Sequence, residues 1–171
     1  MIAIPETLAL AAVVSAFMVG DSESEIEMAD RAVALNPNSY LAWNGRGWVY
    51  EIAGLPEEAV RSFERAIRMS PVDPLLHMTF LGMGHALMGL RRFDEAIGVL
   101  KKALRQNPFF MPACRGLASA FAHLGRDAEA HAAAARVLEI DPTFTISAHI
   151  ARVPKSSKLV IEGLRKAGLP E

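Results

Sequence analysis

No stretch of this chain alternates apolar and polar residues with a period of two. Runs of Val, Ile and Thr at strand spacing are absent, and alanine, leucine, arginine and glutamate dominate. These residues favour helix, so the pattern predicts an all-α chain. The predicted helices are punctuated regularly. Asn36-Pro37, Ser70-Pro71, Asn107-Pro108 and Asp141-Pro142 recur at separations of 34, 37 and 34 residues. Ahead of each proline stands a similar stretch: ADRAVALNP, FERAIRMSP, LKKALRQNP and AARVLEIDP. Each reads as the last turns of a helix, stopped by a polar residue and a proline. A fixed period of this length marks an array of stacked supersecondary units.

The unit from Tyr40 to about Asp73 is the most complete. Trp43, Gly47, Tyr50, Gly54, Ala59, Phe63, Ala66 and Pro71 fall at positions 4, 8, 11, 15, 20, 24, 27 and 32 counted from Tyr40. Gly47 and Ala59 are small enough to let two antiparallel helices approach, while Trp43, Tyr50 and Phe63 fill the spaces within and between hairpins. Gly54 suits the end of a first helix and Pro56 the first turn of a second. These residues at these spacings resemble the tetratricopeptide (TPR) consensus. The resemblance implies a TPR α–α superhelix of four antiparallel helical hairpins, at about 6–39, 40–73, 74–110 and 111–144. Capping helices would follow over 145–171, and a concave groove would be lined by the first helix of each pair.

The other units carry the pattern less completely. The third keeps Gly84, Ala96, Leu100, Ala103 and Pro108; its three extra residues, Pro74-Leu75-Leu76, predict one added turn of its first helix, with Asp73 as N-cap. The fourth has Cys114, Ala118, Phe121, Gly125, Ala130, Val137 and Pro142. The first keeps Gly20, Ala32 and Pro37, but Val13 and Glu25 stand where small residues belong, which predicts a less tightly closed hairpin. After Pro142, residues 144–152 predict a short helix stopped by Pro154. A last helix follows, capped by Ser156 or Ser157 and ended by Gly168 and Pro170. It would turn Leu159, Ile161 and Leu164 inward and Lys158, Glu162, Arg165 and Lys166 to water, solvating the final hairpin. The opening helix differs: between Glu6 and Asp21 no charge occurs, so Leu8, Leu10, Val13, Val14, Phe17, Met18 and Val19 surround it. A helix apolar all round expects cover on every side. Leu8, Val13 and Phe17 therefore mark an N-terminal contact face for a second copy, an upstream repeat or a neighbouring domain. The same run is about a dozen residues long, short of the roughly 20 that span a bilayer, and no basic residue precedes it as in a signal peptide.

Composition narrows the function. Apolar residues make up 51% of the chain, enough for a core, and the net charge of −1 recruits neither nucleic acid nor an acidic membrane. Cys114 stands alone, which excludes an internal disulfide and a Cys-based zinc site and fits a reducing cytoplasm. No two of His77, His85, His123, His131 and His149 are four residues apart, so no metal site is expected. Gly82-Met83-Gly84 follows no strand and is not read as a dinucleotide loop. Glu57-Glu58 and Asp94-Glu95 open second helices, where they complement the helix dipole. No nucleophile has visible partners, so neither catalysis nor a cofactor is expected.

By the family's pattern the groove positions are Asn44, Trp48, Glu51, Leu81, His85, Met88, Arg115, Ser119 and His123. They form a mixed surface with few charges, Trp48 being its best single anchor. Carboxylate-clamping TPR grooves use several Lys, Arg and Asn residues, and only Arg115 and Asn44 are suggestive here. The strings AIRMSPVDPLL, ALRQNPFFMPACRGLASAFAHLGRDAEA and GLRKAGLPE also resemble the C-terminal TPR region of bacterial class III adenylate or guanylate cyclases and winged-helix regulators. Two functions follow as expectations: a non-catalytic module that binds a peptide or protein surface through its groove, or a regulatory, dimerising segment acting through its apolar N-terminal hairpin.

Overall fold

The computed structural model describes residues 4–18, 21–153, 155 and 157–171. Val19, Gly20, Pro154 and Ser156, each given a part in the sequence reading, lie outside them. The described residues form ten helices and no strand: α1 (Pro5–Met18), α2 (Ser22–Leu35), α3 (Tyr40–Ile52), α4 (Pro56–Met69), α5 (Leu76–Gly89), α6 (Phe93–Gln106), α7 (Met111–His123), α8 (Asp127–Ile140), α9 (Ile146–Arg152) and α10 (Lys158–Lys166). The first eight pair as α1/α2, α3/α4, α5/α6 and α7/α8. From α3 onward, each first helix also packs on both helices of the hairpin before it.

Local chemistry makes the hairpins. Each second helix ends where a polar residue closes the last backbone bond, Asn36 N–H to the Ala32 carbonyl, for example. The side chains of Asn36, Asn107 and Asp141 then accept from the N–H two residues on, at 3.2, 3.3 and 3.0 Å, so the polar residue and its proline form a tight turn. Between the two helices of a hairpin the chain reverses through a left-handed residue: Gly54 (φ +76°), Arg91 (+58°) and Gly125 (+68°). The next N–H reaches back to close the helix end, as Leu55 does to the Tyr50 carbonyl at 2.9 Å.

Packing between hairpins depends on two knobs. Phe63, fully buried, projects from α4 between α3 and α5. A Cβ built on Gly47 would stand 2.6 Å from its ring, and one on Gly82 would overlap it. Leu100 repeats the device from α6. Cβ atoms built at Gly84 of α5 and Gly116 of α7 would lie 2.8 and 3.0 Å from its side chain. Both glycines of Gly82-Met83-Gly84 are therefore packing residues. Charge adds a clasp across the first two hairpins: Arg46 Nε lies 2.7 Å from Asp30 Oδ1, Arg46 Nη1 donates to Ser62 Oγ at 2.6 Å, and Tyr50 donates to the same Asp30 carboxylate.

One expectation changes and three are made specific. The third unit's insertion is not an extra helical turn: Asp73 Oδ1 accepts from the Leu75 N–H at 2.9 Å, and this turn holds Pro74 and Leu75 outside α5. The first hairpin carries Glu25 buried, and Ser15 Oγ donates to it at 3.0 Å, which accommodates a carboxylate where a small residue was expected. α1 buries Ala9, Ala12 and Ala16 and leaves Leu10, Val14 and Met18 at 65, 53 and 79% exposure. Finally, α10 does not continue the stack. It turns back and lies along α7, reaching α5. Val160, Ile161 and Leu164 are buried, with Lys158, Glu162, Arg165 and Lys166 in water.

Gly82→Ala should cost about 1–3 kcal/mol, because a methyl there overlaps a ring that has no room to move. Gly98→Ala, in α6 where a Cβ meets nothing within 4 Å, should add about 0.5–1 kcal/mol through helix propensity. Urea denaturation of both variants measures the contrast; the same sign for the two would remove Phe63 as a clamped knob.

Candidate functional site

The first helices α1, α3, α5 and α7 line the concave face, which divides into three regions. Over α1, α3 and the start of α5 lies an open apolar groove of about 440 Å³, walled by Leu10, Val13, Leu41, Trp48, Leu75 and Met78. Two of its polar members, Asn44 and Glu6, accept bonds from within the array. Asn44 Oδ1 accepts from Thr79 at 2.9 Å, Thr79 pairs with the Tyr40 hydroxyl at 2.7 Å, and Glu6 accepts from Ser39 at 2.9 Å. At the centre is a smaller cavity of about 220 Å³, where Trp48, Glu51, Leu81, His85 and Arg115 face Lys155, Ser157 and Val160 of the C-terminal segment. Over α7 the face is covered: His123 Nε2 sits 2.8 Å from the Leu159 carbonyl, and Gly163 crosses Ser119.

The sequence-derived groove positions thus separate. Asn44 and Trp48 border the apolar groove; Trp48, Glu51, Leu81, His85 and Arg115 meet in the central cavity; Ser119 and His123 lie under α10. Two expectations are corrected. Met88 is buried in the core rather than lining the groove. Trp48 is only 9% exposed, because Phe17 and His85 flank its indole at 6.3 and 6.5 Å and Phe63 meets it edge-on. On the N-terminal face, Leu8 and Val13 are half-buried against their own hairpin and α3, while Phe17 remains partly exposed. The sequence reading missed Leu41 and Leu75 as groove walls and the C-terminal segment as a cover. The signal for the second was Gly163, a small residue inside an otherwise amphipathic helix.

A sequence profile described as Tetratricopeptide repeat matches residues 10–74 and 81–143. The chain belongs to the tetratricopeptide repeat family. Such repeats are protein-interaction modules, not catalytic domains. The small glutamine-rich tetratricopeptide repeat-containing protein 2 of Mycosarcoma maydis is 27% identical over 112 residues, covering 66% of this chain; the matched region spans about a third of that relative's length, at 31%. Among solved structures, the TPR protein YrrB, described as having an unusual peptide-binding site, is 24% identical, with a TM-score of 0.65 over 94% of this chain and 83% of that one. TTC0263, a thermophilic TPR protein of Thermus thermophilus, is 18% identical, with a TM-score of 0.70 over 94% and 98%. These likenesses concern the repeat fold and assign no cyclase or winged-helix effector.

Among the described residues no cluster of His, Cys, Asp or Glu could hold a metal ion, and no helix is long and apolar enough to cross a membrane. Cys114 is buried, which pushes its thiol up and makes it less reactive. A larger depression of about 560 Å³ lies beside α2 and α4, but Arg46, Arg61 and Arg68 there already pair with Asp30, Glu58 and Glu64.

The central cavity is electrostatically uncomfortable. Burial raises the Glu51 carboxyl to about 7, and among the described residues it has no hydrogen-bond or ion-pair partner. His85 is held down to about 4, by burial first and then by the charges of Arg115 and His149; burial and Arg115 hold His149 to about 4 as well. Arg115 Nη1 lies 2.8 Å from His149 Nδ1, and its guanidinium packs over Phe144. Both histidines are therefore neutral at pH 7.

These shifts oppose one another. Glu51 ionises near 4.5 when unfolded, so the stability its protonated form allows is present below that pH and is lost as pH rises to about 7. For His85 the stability is present above about 6.5 and is lost as pH falls toward 4. Glu51→Gln should match the wild type near pH 4.5 and exceed it at pH 8 by on the order of 1–3 kcal/mol. Urea midpoints at the two pH values read this directly; a constant difference would show that Glu51 is already ionised in the fold.

Proposed function

We propose that this TPR array is a docking platform whose working surface is the open N-terminal half of the concave face, and that its partner is a segment of another protein presenting apolar side chains. The carrying observation is the wall formed by Leu10, Leu41, Leu75 and Met78. These large side chains stand 65, 43, 50 and 37% exposed around one groove. An apolar surface of this kind marks an interaction site when its members are contiguous. The polar groups at its edge, Asn44 and Glu6, are bound within the array, so recognition rests on shape and apolar burial. The groove offers no cluster of cations to grip a peptide's terminal carboxylate.

Peptides selected on the purified chain from a random displayed library should be rich in Leu, Ile, Met and aromatic residues. Leu41→Glu, on an exposed position of α3, should weaken them at least tenfold (about 1.4 kcal/mol) while circular dichroism stays unchanged. Undiminished binding by the folded variant would place the site elsewhere.

A second reading rests on Val14 and Met18, which face out from α1 beside the groove. An apolar stripe at helical spacing suits a second copy of the chain or a neighbouring domain. Sedimentation velocity at rising concentration should then show a dimer that Val14→Glu abolishes. A monomer at every concentration would leave self-association through α1 without support.

A further inference from the structure

The covered half of the concave face has an occupant in view, and its seating shows what that surface accepts. α10 runs antiparallel to α7: Leu159 lies beside His123, and four residues on Gly163 lies beside Ser119. The crossing is so close that a Cβ on Gly163 would stand 2.6 Å from the Ser119 Cα and overlap its hydroxyl. Val160, Leu164 and Ala167 fall at helical spacing around that glycine and are buried, while the opposite face carries Lys158, Glu162, Arg165 and Lys166 in water. This is how an amphipathic helix sits in a groove.

Other features distinguish α10 from an integral repeat helix. It has nine residues, too few to be helical alone, so it folds only when docked. Its packing lies mainly along α7, with smaller contacts to α5 and α9. Lys155 caps the Ala16 carbonyl at the end of α1, but beneath it remains the central cavity, with the Glu51 carboxyl facing in, unpartnered among the described residues.

We infer that α10 is an internal ligand: the α5/α7 half of the concave face is a second docking surface, and its external partner is an amphipathic helix of α10's own pattern, a small residue flanked by large apolar residues three before and one after. The tail holds the surface closed by its high effective concentration, and a partner must displace it. This stands apart from the proposal for the N-terminal groove, since it involves different helices and a different test.

Gly163→Ala separates the possibilities, because alanine favours the free helix but blocks its seat. A labelled synthetic peptide of residues 157–171 should bind the full-length Gly163→Ala chain at least about tenfold more tightly than the wild-type chain. The same peptide carrying Gly163→Ala should bind neither. In the unaltered chain, amide hydrogens of α10 should exchange at least about tenfold faster than those of α7, through an opening short of global unfolding. Equal peptide affinity for the two chains, or α10 amides that exchange only with those of α7, would overturn the inference. So would a Gly163→Ala chain that unfolds throughout, since α10 would then be part of the core.

Discussion

The array depends on one geometric constraint: a large side chain from each central second helix must enter where two successive first helices have no side chain at all. Phe63 does this between Gly47 and Gly82, and Leu100 between Gly84 and Gly116. One residue thereby sets two distances, that within its own hairpin and that to the next. The closeness matters because a buried aromatic contributes about 1.5–3 kcal/mol only when its neighbours leave no gap. Since α3, α5 and α7 are held at these spacings from behind, their opposite sides form a continuous concave face.

The same constraint explains why the ends differ from the middle. The positions matching Phe63 and Leu100 are Ala29 in the first unit and Ala134 in the fourth, both small and buried. No knob locks either terminal hairpin. α1 is held by the methyl groups of Ala9, Ala12 and Ala16, worth roughly a buried carbon each. Short polar links supplement them, Ser39 to Glu6 and Ser15 to Glu25. At the far end α10 adds Val160, Ile161 and Leu164 to the α7 surface.

The fold was legible because repeat architecture writes itself at fixed intervals. The polar-residue–proline stops recur in all four units, the left-handed hairpin reversal falls on Gly54, Arg91 and Gly125, and a large side chain stands at the Phe63 position in the two central units. What recurred only once was misread. The insertion at Pro74 was compatible with an added turn, and only the Asp73 side chain bonding to the Leu75 amide decides against it. The groove was legible as a set of faces but not as a surface. Trp48 and Met88 occupy first-helix positions that the family's pattern turns toward the groove, yet neighbours bury both. The tail's course could not be read from its own sequence: Leu159, Ile161 and Leu164 specify that α10 has an inner face, not which helix that face meets.

The two halves of the concave face therefore present different problems to a ligand. On the N-terminal side the walls are apolar and open, Asn44 and Glu6 at the edge accept bonds from within the array, and Leu10, Leu41, Leu75 and Met78 stand ready to be buried. On the C-terminal side the surface is built for a helix, down to the missing side chain at Gly163, and that helix is already supplied by the chain. Between them lie Glu51 and His85, both partly buried beside the central cavity, their charged forms disfavoured there by burial. A close-packed seam would gain nothing from two ionisable groups there, since both lower stability at one end of the pH range. Their position beside Lys155 and Ser157 of the C-terminal segment puts two groups whose charged forms are disfavoured at the place where the two halves meet.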